Sequence, residues 1–585
     1  MNFLRDPDLL AYVRSDKRTL VKGGIALLGR TLFAVTVPWL VGRAFDAAIA
    51  GVATAEFLAA LGWVLAAATA TGLCQWWMRS LLVGASRRFE QEARDSLFRR
   101  LLALGPGWFA RRKTGDLLSR LGSDLEAVRM GAGPAVMYLA DTGLRAIAIT
   151  ATMFALSPLL AGWTLLPIVL VFLGLKSSLK KVHDRSLVVQ EKQGELSARA
   201  QEAFAGARVL KAFGREEDES KRFEAVSERC IEANVRLSRA RAVTSGLIEC
   251  GGDCVVAVIV LVGGAEAVAG RITIGSLVAF LGYVEMLVWP VIAIGWVMSL
   301  WQRARASETR LEEIRAGVPE VTEPAAPKRP TDPRGVLEVR DLTWTPEGSP
   351  RPVLDAVSFR LDAGKRLGIV GRIGSGKSSL LHLVARLENP PPGTIFIDGV
   401  DVRDYPLDTL RKTVTLAPQD AFLFSESLRS NIVYGAPNAT PERIKHAVED
   451  AGLTEAVESF PDGLDTLLGE RGVTLSGGQR QRTALARAIL TEPKLLLIDD
   501  GLSAVDADTE ERILRSLTVR LAGKTAVIVS HRVSAVADLD HVIVLDGGRV
   551  VESGAPRDLL ARGGSLAALA RLQRDAEALA GGESA

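Results

Sequence analysis

Long apolar runs fill the first half of the chain and then stop. Runs at about 21–45, 56–80, 132–156, 159–177, 244–268 and 275–300 each approach the ~20 residues that a ~30 Å hydrocarbon layer requires. They predict six membrane-spanning helices. Later the apolar runs shrink to strand length, as in RLGIV, TIFIDG, LLLID, AVIVS and HVIVL, with helical segments between them. Strands alternating with helices predict an α/β domain around a largely parallel sheet. Between the two halves lies AGVPEVTEPAAPKRPTDPRG, rich in Pro and short of large apolar residues, which reads as a linker. The expected layout is an all-α transmembrane domain over 1–315, a linker over 316–335, an α/β domain over 336–573 and a polar tail over 574–585.

Loop length and charge orient the spans. The links after spans one, three and five are short, and Arg271 is their only basic residue. Those after spans two and four are long and rich in Arg and Lys, as in RRKTGDLLSR and LKAFGREEDESKR. The positive-inside bias puts the N-terminus, both long loops and the C-terminal half in the cytoplasm. The long loops also carry helical periodicity, as in QEKQGELSARAQEAFAGARVLKAFG. Helices continuing out of the bilayer would carry their tips well into the cytoplasm.

A mean hydropathy of +0.19 agrees with a membrane-embedded first half. With 71 Lys+Arg against 68 Asp+Glu, the net charge of +3 gives no reason to expect bulk nucleic-acid binding. The N-terminus shows no secretory signal pattern. Cys74, Cys230, Cys250 and Cys254 lack the spacing of a metal site or a disulfide scaffold and read as small apolar helix residues. Several polar groups fall inside expected spans: Arg30, Asp141, Arg145, Glu249, Asp253 and Glu285. Asp141 and Arg145, at i,i+4, read as a structural pair. Glu249 and Asp253 share that spacing with like charge, which a purely structural account explains poorly, and a cavity-lining role is the alternative.

The α/β half carries the chemistry. GRIGSGKSS follows the strand RLGIV and precedes the helical SLLHLVARL, matching G-x-x-x-x-G-K-[ST]. In such a loop the backbone N–H groups of Gly371, Arg372, Ile373, Gly374, Ser375, Gly376, Lys377, Ser378 and Ser379 surround phosphate oxygens at a helix N-terminus. Lys377 would neutralise the β- and γ-phosphates and Ser378 would ligate Mg²⁺. KLLLID ends in Asp499, placed as a carboxylate for Mg²⁺. Ser476, Gly477, Gly478 and Gln479 lead a second helix with small residues at its N-terminus, again an anion site. One nucleotide needs one triphosphate cradle, so this second site is expected to serve a nucleotide held by another chain.

The order phosphate loop, APQD, LSGGQ, LLLIDD, SAVD and then His531 after AVIVS resembles the nucleotide-binding domain of ATP-binding cassette (ABC) transporters. With six preceding spans, residues 15–573 resemble an exporter-type half-transporter, and KTGDLLSRLGSD and EAFAGARVLKAFG resemble that family's cytoplasmic loops. The resemblance implies a head-to-tail dimer with ATP and Mg²⁺ sandwiched between one chain's Gly371–Ser379 segment and the other's Ser476–Gln479 equivalent. It implies that Gln419 contacts Mg²⁺ and the attacking water, that His531 bonds the γ-phosphate, and that Asp506 communicates across the dimer. Loop tips near Gly115 and Ala207 would be coupling helices.

Two positions depart from the family pattern. After the Mg²⁺-binding Asp the family carries a catalytic Glu; here the residue is Asp500. Both are carboxylates of similar pKa, so reach is what differs, by about 1.5 Å. A misplacement of that order can cost ~10²-fold. A weak base beside an intact LSGGQ predicts the degenerate-site subunit of a heterodimer, with a homodimer of two impaired sites as the alternative. The family's adenine-stacking Tyr aligns with Pro346, and Trp344 two residues earlier either stacks on the base or faces the core. The resemblance implies an ATPase coupled to export of amphipathic, drug-like or lipid-like solutes from a bacterial inner membrane. The alternatives are uptake of cargo such as iron chelates and a mainly regulatory nucleotide-binding subunit. The six spans exclude a soluble ABC protein acting on nucleic acid.

Overall fold

The computed structural model describes residues 16–582 apart from 331, 470–471, 473–474, 501–512 and 514–522. Among the described residues, six helices are long and apolar enough to cross a membrane: α1 (Lys17–Ile49), α2 (Thr54–Ala103), α3 (Thr114–Leu156), α4 (Pro158–Ala205), α5 (Glu216–Val268) and α6 (Ile274–Arg315). α2 has 50 residues, about 75 Å at 1.5 Å per residue and over twice the apolar thickness of a bilayer. Local chemistry sets the sharp turns. Between α3 and α4, Ser157 caps the new helix by accepting from the Leu160 N–H at 3.3 Å, with Pro158 at the first helical position. Thr273 caps α6 in the same way, accepting from the Ser276 N–H at 3.0 Å. π-turns interrupt α3 at Arg120–Asp124 and α5 at Ile259–Gly263.

The chain divides into two compact units. The first runs to Leu101 and resumes over Gly115–Ala316; the second takes Leu102–Thr114 and everything from Gly317 onward. In the first unit α4 runs along α5, while α6 packs on α1 and α3. At the α1–α6 crossing the backbones meet at Gly42 and Gly275, where a Cβ on either would run into the other's carbonyl oxygen. Small residues permit this approach, and the Asp46 carboxylate seals it by accepting from the Gly275 N–H at 2.7 Å. Farther along, the buried Tyr283 hydroxyl donates to the Val35 carbonyl at 2.9 Å.

Buried charge is paired throughout this unit. Asp141 lies between Arg30 of α1 and Arg145, the latter at 2.9 Å, and Arg30 also donates to Gln75 of α2 at 3.3 Å. The expected pair is thus part of a tie across three helices. Outside the expected spans, Glu90 meets Arg87 at 2.9 Å, Arg94 at 2.5 Å and the buried Arg129 at 3.0 Å. Burial works to raise the Glu90 carboxyl, but those three guanidinium groups outweigh it and hold the pKa below the ordinary value. Near the π-turn of α3, Arg120 bonds Asp116 at 2.8 Å and Glu313 at 2.7 Å, and Arg310 of α6 meets Asp124 at 2.8 Å.

The described residues of the second unit form two sheets. β1 (Leu337–Trp344), β2 (Leu354–Leu361), β4 (Ile395–Ile397) and β5 (Val400–Asp401) form an antiparallel sheet in the order β2-β1-β4-β5. β3 (Arg366–Gly371), β6 (Val414–Ala417), β7 (Leu495–Asp499), β8 (Thr525–Val529), β9 (His541–Asp546) and β10 (Arg549–Gly554) form the larger one, in the order β10-β9-β3-β8-β7-β6. Only β10 runs antiparallel there. Every residue of β7 and β8 is buried, as unbroken apolar runs in a parallel sheet require. Around the sheets lie α7 (Lys377–Val384), α8 (Leu407–Thr413), α9 (Leu428–Val433), α10 (Pro441–Asp450), α11 (Thr454–Ser459), α12 (Gly477–Leu490), α13 (Pro556–Arg562) and α14 (Ser565–Gly582). The segment expected as a tail from Arg574 therefore begins inside a helix. Gly115, expected near the first long loop's tip, falls in the first turn of α3; the loop's own short helix is Pro106–Ala110, which belongs to this unit. Arg111 pairs with Glu347 at 2.6 Å, and Glu320 packs on Gly105 and Gly107.

Two outcomes follow from this packing. Gly275→Val forces the α1–α6 crossing apart and should cost about 1–3 kcal/mol, read as a lower unfolding midpoint in detergent; an unchanged midpoint would refute the crossing. Glu90→Ala leaves the buried Arg129 with the exposed Glu126 alone, at 3.2 Å, and should cost up to about 3 kcal/mol, with Glu90→Gln milder in the same melting assay.

Candidate functional site

Four neighbouring parallel strands, β3, β8, β7 and β6, deliver the chemical groups at their C-terminal ends, where open α/β sheets bind ligands. β3 runs into the phosphate loop. Gly371 lies against the Leu545 carbonyl with no room for a Cβ. Gly376 has φ 98°, and a Cβ there would meet Leu354 Cδ2 at 2.7 Å and the Val353 carbonyl at 2.9 Å. Glycine is therefore required twice, by space at the first position and by both space and dihedral at the second. Arg372, Ile373 and Gly374 form an exposed crest, while Ser375, Gly376 and Lys377 are buried and Ser378 and Ser379 half-buried at the start of α7. α7 stops cleanly: the Leu387 N–H bonds the His382 carbonyl at 2.9 Å and the Arg386 N–H bonds that of Leu383 at 3.0 Å, with Arg386 left-handed.

Lys377 curls beneath the crest, its ammonium donating to the carbonyls of Gly371 at 2.9 Å and Arg372 at 2.8 Å. Burial lowers its pKa against the opposing charges of Asp500 and Asp499. The Ser378 hydroxyl donates to Asp499 Oδ1 at 3.1 Å, tying α7 to the end of β7. Burial raises the Asp499 carboxyl, and the Ser378 bond works the other way.

The next residue, Asp500, turns out of the strand with φ 45° and donates its N–H to the Val529 carbonyl at 3.0 Å. A left-handed non-glycine residue is strained, Asp less than most. The turn brings its buried carboxylate 3.3 Å from Gln419 Nε2, just beyond β6, and 3.9 Å from His531 Nε2, just beyond β8. Phosphate loop, Asp499, Asp500, Gln419 and His531 thus come together.

Ser476, Gly477, Gly478 and Gln479 open α12. Ser476 Oγ accepts from the Gln479 N–H at 3.2 Å, while Gln479 Oε1 accepts from the Ser476 N–H at 2.9 Å, a complete capping box at the start of α12. Remaining first-turn N–H groups there favour an anion. Gln481 of the same helix donates to the Gln419 carbonyl at 3.4 Å. Trp344, at the end of β1, packs part of its ring on the core beneath the sheets. Its carbonyl accepts from the N–H of Val353 at 2.9 Å, the residue whose own carbonyl walls Gly376. Asp506 lies outside the described residues. Motif reading missed Gln573 of α14, whose side chain reaches the backbone on both sides of Arg532; a single Gln in a helical stretch carries no signal.

In the transmembrane unit, α4, α5 and α6 form an open apolar groove, lined by residues including Ile168, Leu175, Ile248, Val255, Val284 and Leu287. α5 reaches α4 through Gly251, against Val171. Glu249, Cys250, Asp253 and Cys254 share the other side of α5 and are exposed.

The family described as ABC transporter transmembrane region matches residues 20–291, and the family described as ABC transporter matches 354–503. The chain is 34% identical to a probable multidrug resistance ABC transporter ATP-binding/permease protein of Bacillus subtilis, covering 92% of each chain. It is also 34% identical to an ATP-dependent lipid A-core flippase of Aromatoleum aromaticum, over 84% of this chain and 81% of that one. Among solved structures, a bacterial Atm1-family ABC exporter with ATP bound superposes with a TM-score of 0.75 at 25% identity, covering 95% of this chain and 98% of the other. A phosphate loop assembled on four parallel strands, preceded by six spans and matched along nearly its whole length by such proteins, places the chain in the ABC transporter family: it is an exporter-type half-transporter, a multi-pass membrane protein whose ATPase domain drives transport.

Proposed function

We propose that this chain is the slow-hydrolysing subunit of a heterodimeric exporter of amphipathic, drug-like or lipid-like solutes, with its nucleotide-binding domain in the cytoplasm of a bacterial cell. One observation carries the reading: a short carboxylate, Asp500, occupies the position that meets both Gln419 and His531, while the capping box at Ser476–Gln479 is complete. A chain that keeps its signature helix and shortens its base serves a partner's site better than its own.

The Ser378 hydroxyl and Asp499 carboxylate, 3.1 Å apart, are hard oxygen donors suited to Mg²⁺. When bound, Mg²⁺ supplies positive charge against phosphate oxygens. Lys377 adds a second positive charge, and the crest N–H groups orient the phosphates. Asp500 takes the proton of the attacking water, Gln419 positions that water, and His531 bonds the γ-phosphate. Trp344, part of whose ring stays exposed, is assigned to the adenine. Closure about ATP needs a second chain, whose Ser476–Gln479 equivalent covers the phosphates; Asp506 is assigned to signalling between the two chains.

Drive to the spans runs through the loop tips. The Pro106–Ala110 helix groups with the nucleotide-binding unit. The second tip, a helix over Ala207–Ala212, exposes Val209, and Phe204 and Phe213 on either side of it are exposed as well, apolar surface that calls for cover by a partner. The apolar α4–α5–α6 groove and the names of the relatives support an amphipathic cargo, and the acidic side of α5 supports a polar part on that cargo.

Purified alone, the chain should release phosphate from ATP slowly, and Asp500→Glu should raise turnover on the order of 10². Brisk parental turnover abolished by Asp500→Asn would overturn the heterodimer. In a co-purified pair, Gly477→Glu should lower ATPase activity by about 10² or more, while Lys377→Ala lowers it by no more than about threefold. Equal losses from both variants would mean two equivalent sites.

A further inference from the structure

We propose that Gln573 of α14 is a positioning residue for ATP hydrolysis, holding the His531 loop by its backbone at two points. The proposal rests on the reading of His531 as the γ-phosphate ligand.

The helix carrying Gln573 is firmly seated. At its N-terminus the Glu552 carboxylate accepts from the N–H groups of Ser565 and Leu566, the latter at 3.0 Å. Acidic groups belong at helix starts. Leu566 is fully buried, and Leu569 and Ala570 pack against the cluster that includes Ile528 and Val533. One turn later the Gln573 amide reaches the loop beyond β8. Its Nε2 donates to the His531 carbonyl, and its Oε1 accepts from the Val533 N–H at 2.9 Å. A carboxamide offers a donor and an acceptor from one planar end, which an ionised carboxylate does not.

The other side of the loop is anchored to the sheet. The Ser530 N–H donates to the Ile369 carbonyl of β3 at 3.2 Å, and Ser530 Oγ accepts from the Arg532 N–H at 3.0 Å. His531 itself is 37% exposed, so its backbone, more than side-chain packing, aims the imidazole at Asp500. Gln573 adds two further bonds to that backbone. Removing it frees the loop while the phosphate loop, Lys377 and Asp499 stay in place, so hydrolysis suffers and ATP affinity does not.

The test uses the full-length chain in lipid nanodiscs, with protein in excess over ATP so that slow single-turnover rates are measurable. Gln573→Ala, Gln573→Glu and His531→Ala are compared with the parent, and hydrogen exchange is followed over 530–536. Gln573→Ala should lower the saturating rate about tenfold, as two lost hydrogen bonds predict, leave the half-saturating concentration within about twofold, and speed exchange at Val533. In Gln573→Glu the carboxylate repels the His531 carbonyl; the rate should recover as pH falls toward the ordinary carboxyl range, about 4–5, beyond any change seen in Gln573→Ala. Parental rate and exchange in Gln573→Ala, with His531→Ala impaired, would overturn the clamp alone. Parental rate in His531→Ala would remove the underlying reading and the proposal with it.

Discussion

Parallel pairing of β3, β8, β7 and β6 is the constraint on which the nucleotide site depends. In this register Ile369 stands level with Val529, and Asp499 is paired with Val529 on the other side of β8. The strands therefore end together and hand over their next residues at one height: the phosphate loop, His531, Asp499 with Asp500, and Gln419. A one-residue slip in any pair would carry its groups about 3.3 Å along the strand and pull buried side chains out of their packing. The apolar core beneath the sheet thus fixes distances among polar groups above it. The Ser378–Asp499 bond records that alignment at the junction of α7 and β7.

Much of this was legible because its signals are local. The spans announce themselves by length and the phosphate loop by its glycines. What the sequence hides is long-range or conformational. No periodicity says that Arg30 shares Asp141 with Arg145, since the partner lies on another helix more than a hundred residues away. The left-handed φ of Asp500 follows from its N–H being drawn to Val529 on a neighbouring strand, not from its own propensity. The grip of Gln573 depends on where Glu552 and the core dock α14, so it becomes visible only in three dimensions.

The same bookkeeping of charge runs through the membrane unit. Arg120 and Arg310 meet Asp116, Asp124 and Glu313 where α3 begins and α6 ends, and a π-turn lies among them. Interruptions of this kind collect at functional positions. Relative movement of these helix ends must exchange several charged partners together, which favours discrete arrangements over gradual deformation.

The grouping of Leu102–Thr114 with the nucleotide-binding unit bears on how such chains can be recombined. Grafting a foreign ATPase half at Ala316, where the polypeptide most invites cutting, would leave Arg111 behind and carry Glu347 away, along with the Glu320 carboxylate that rests on Gly105 and Gly107. The natural module is discontinuous: an engineer who wants a transplanted motor to engage its host must move thirteen residues of loop with it.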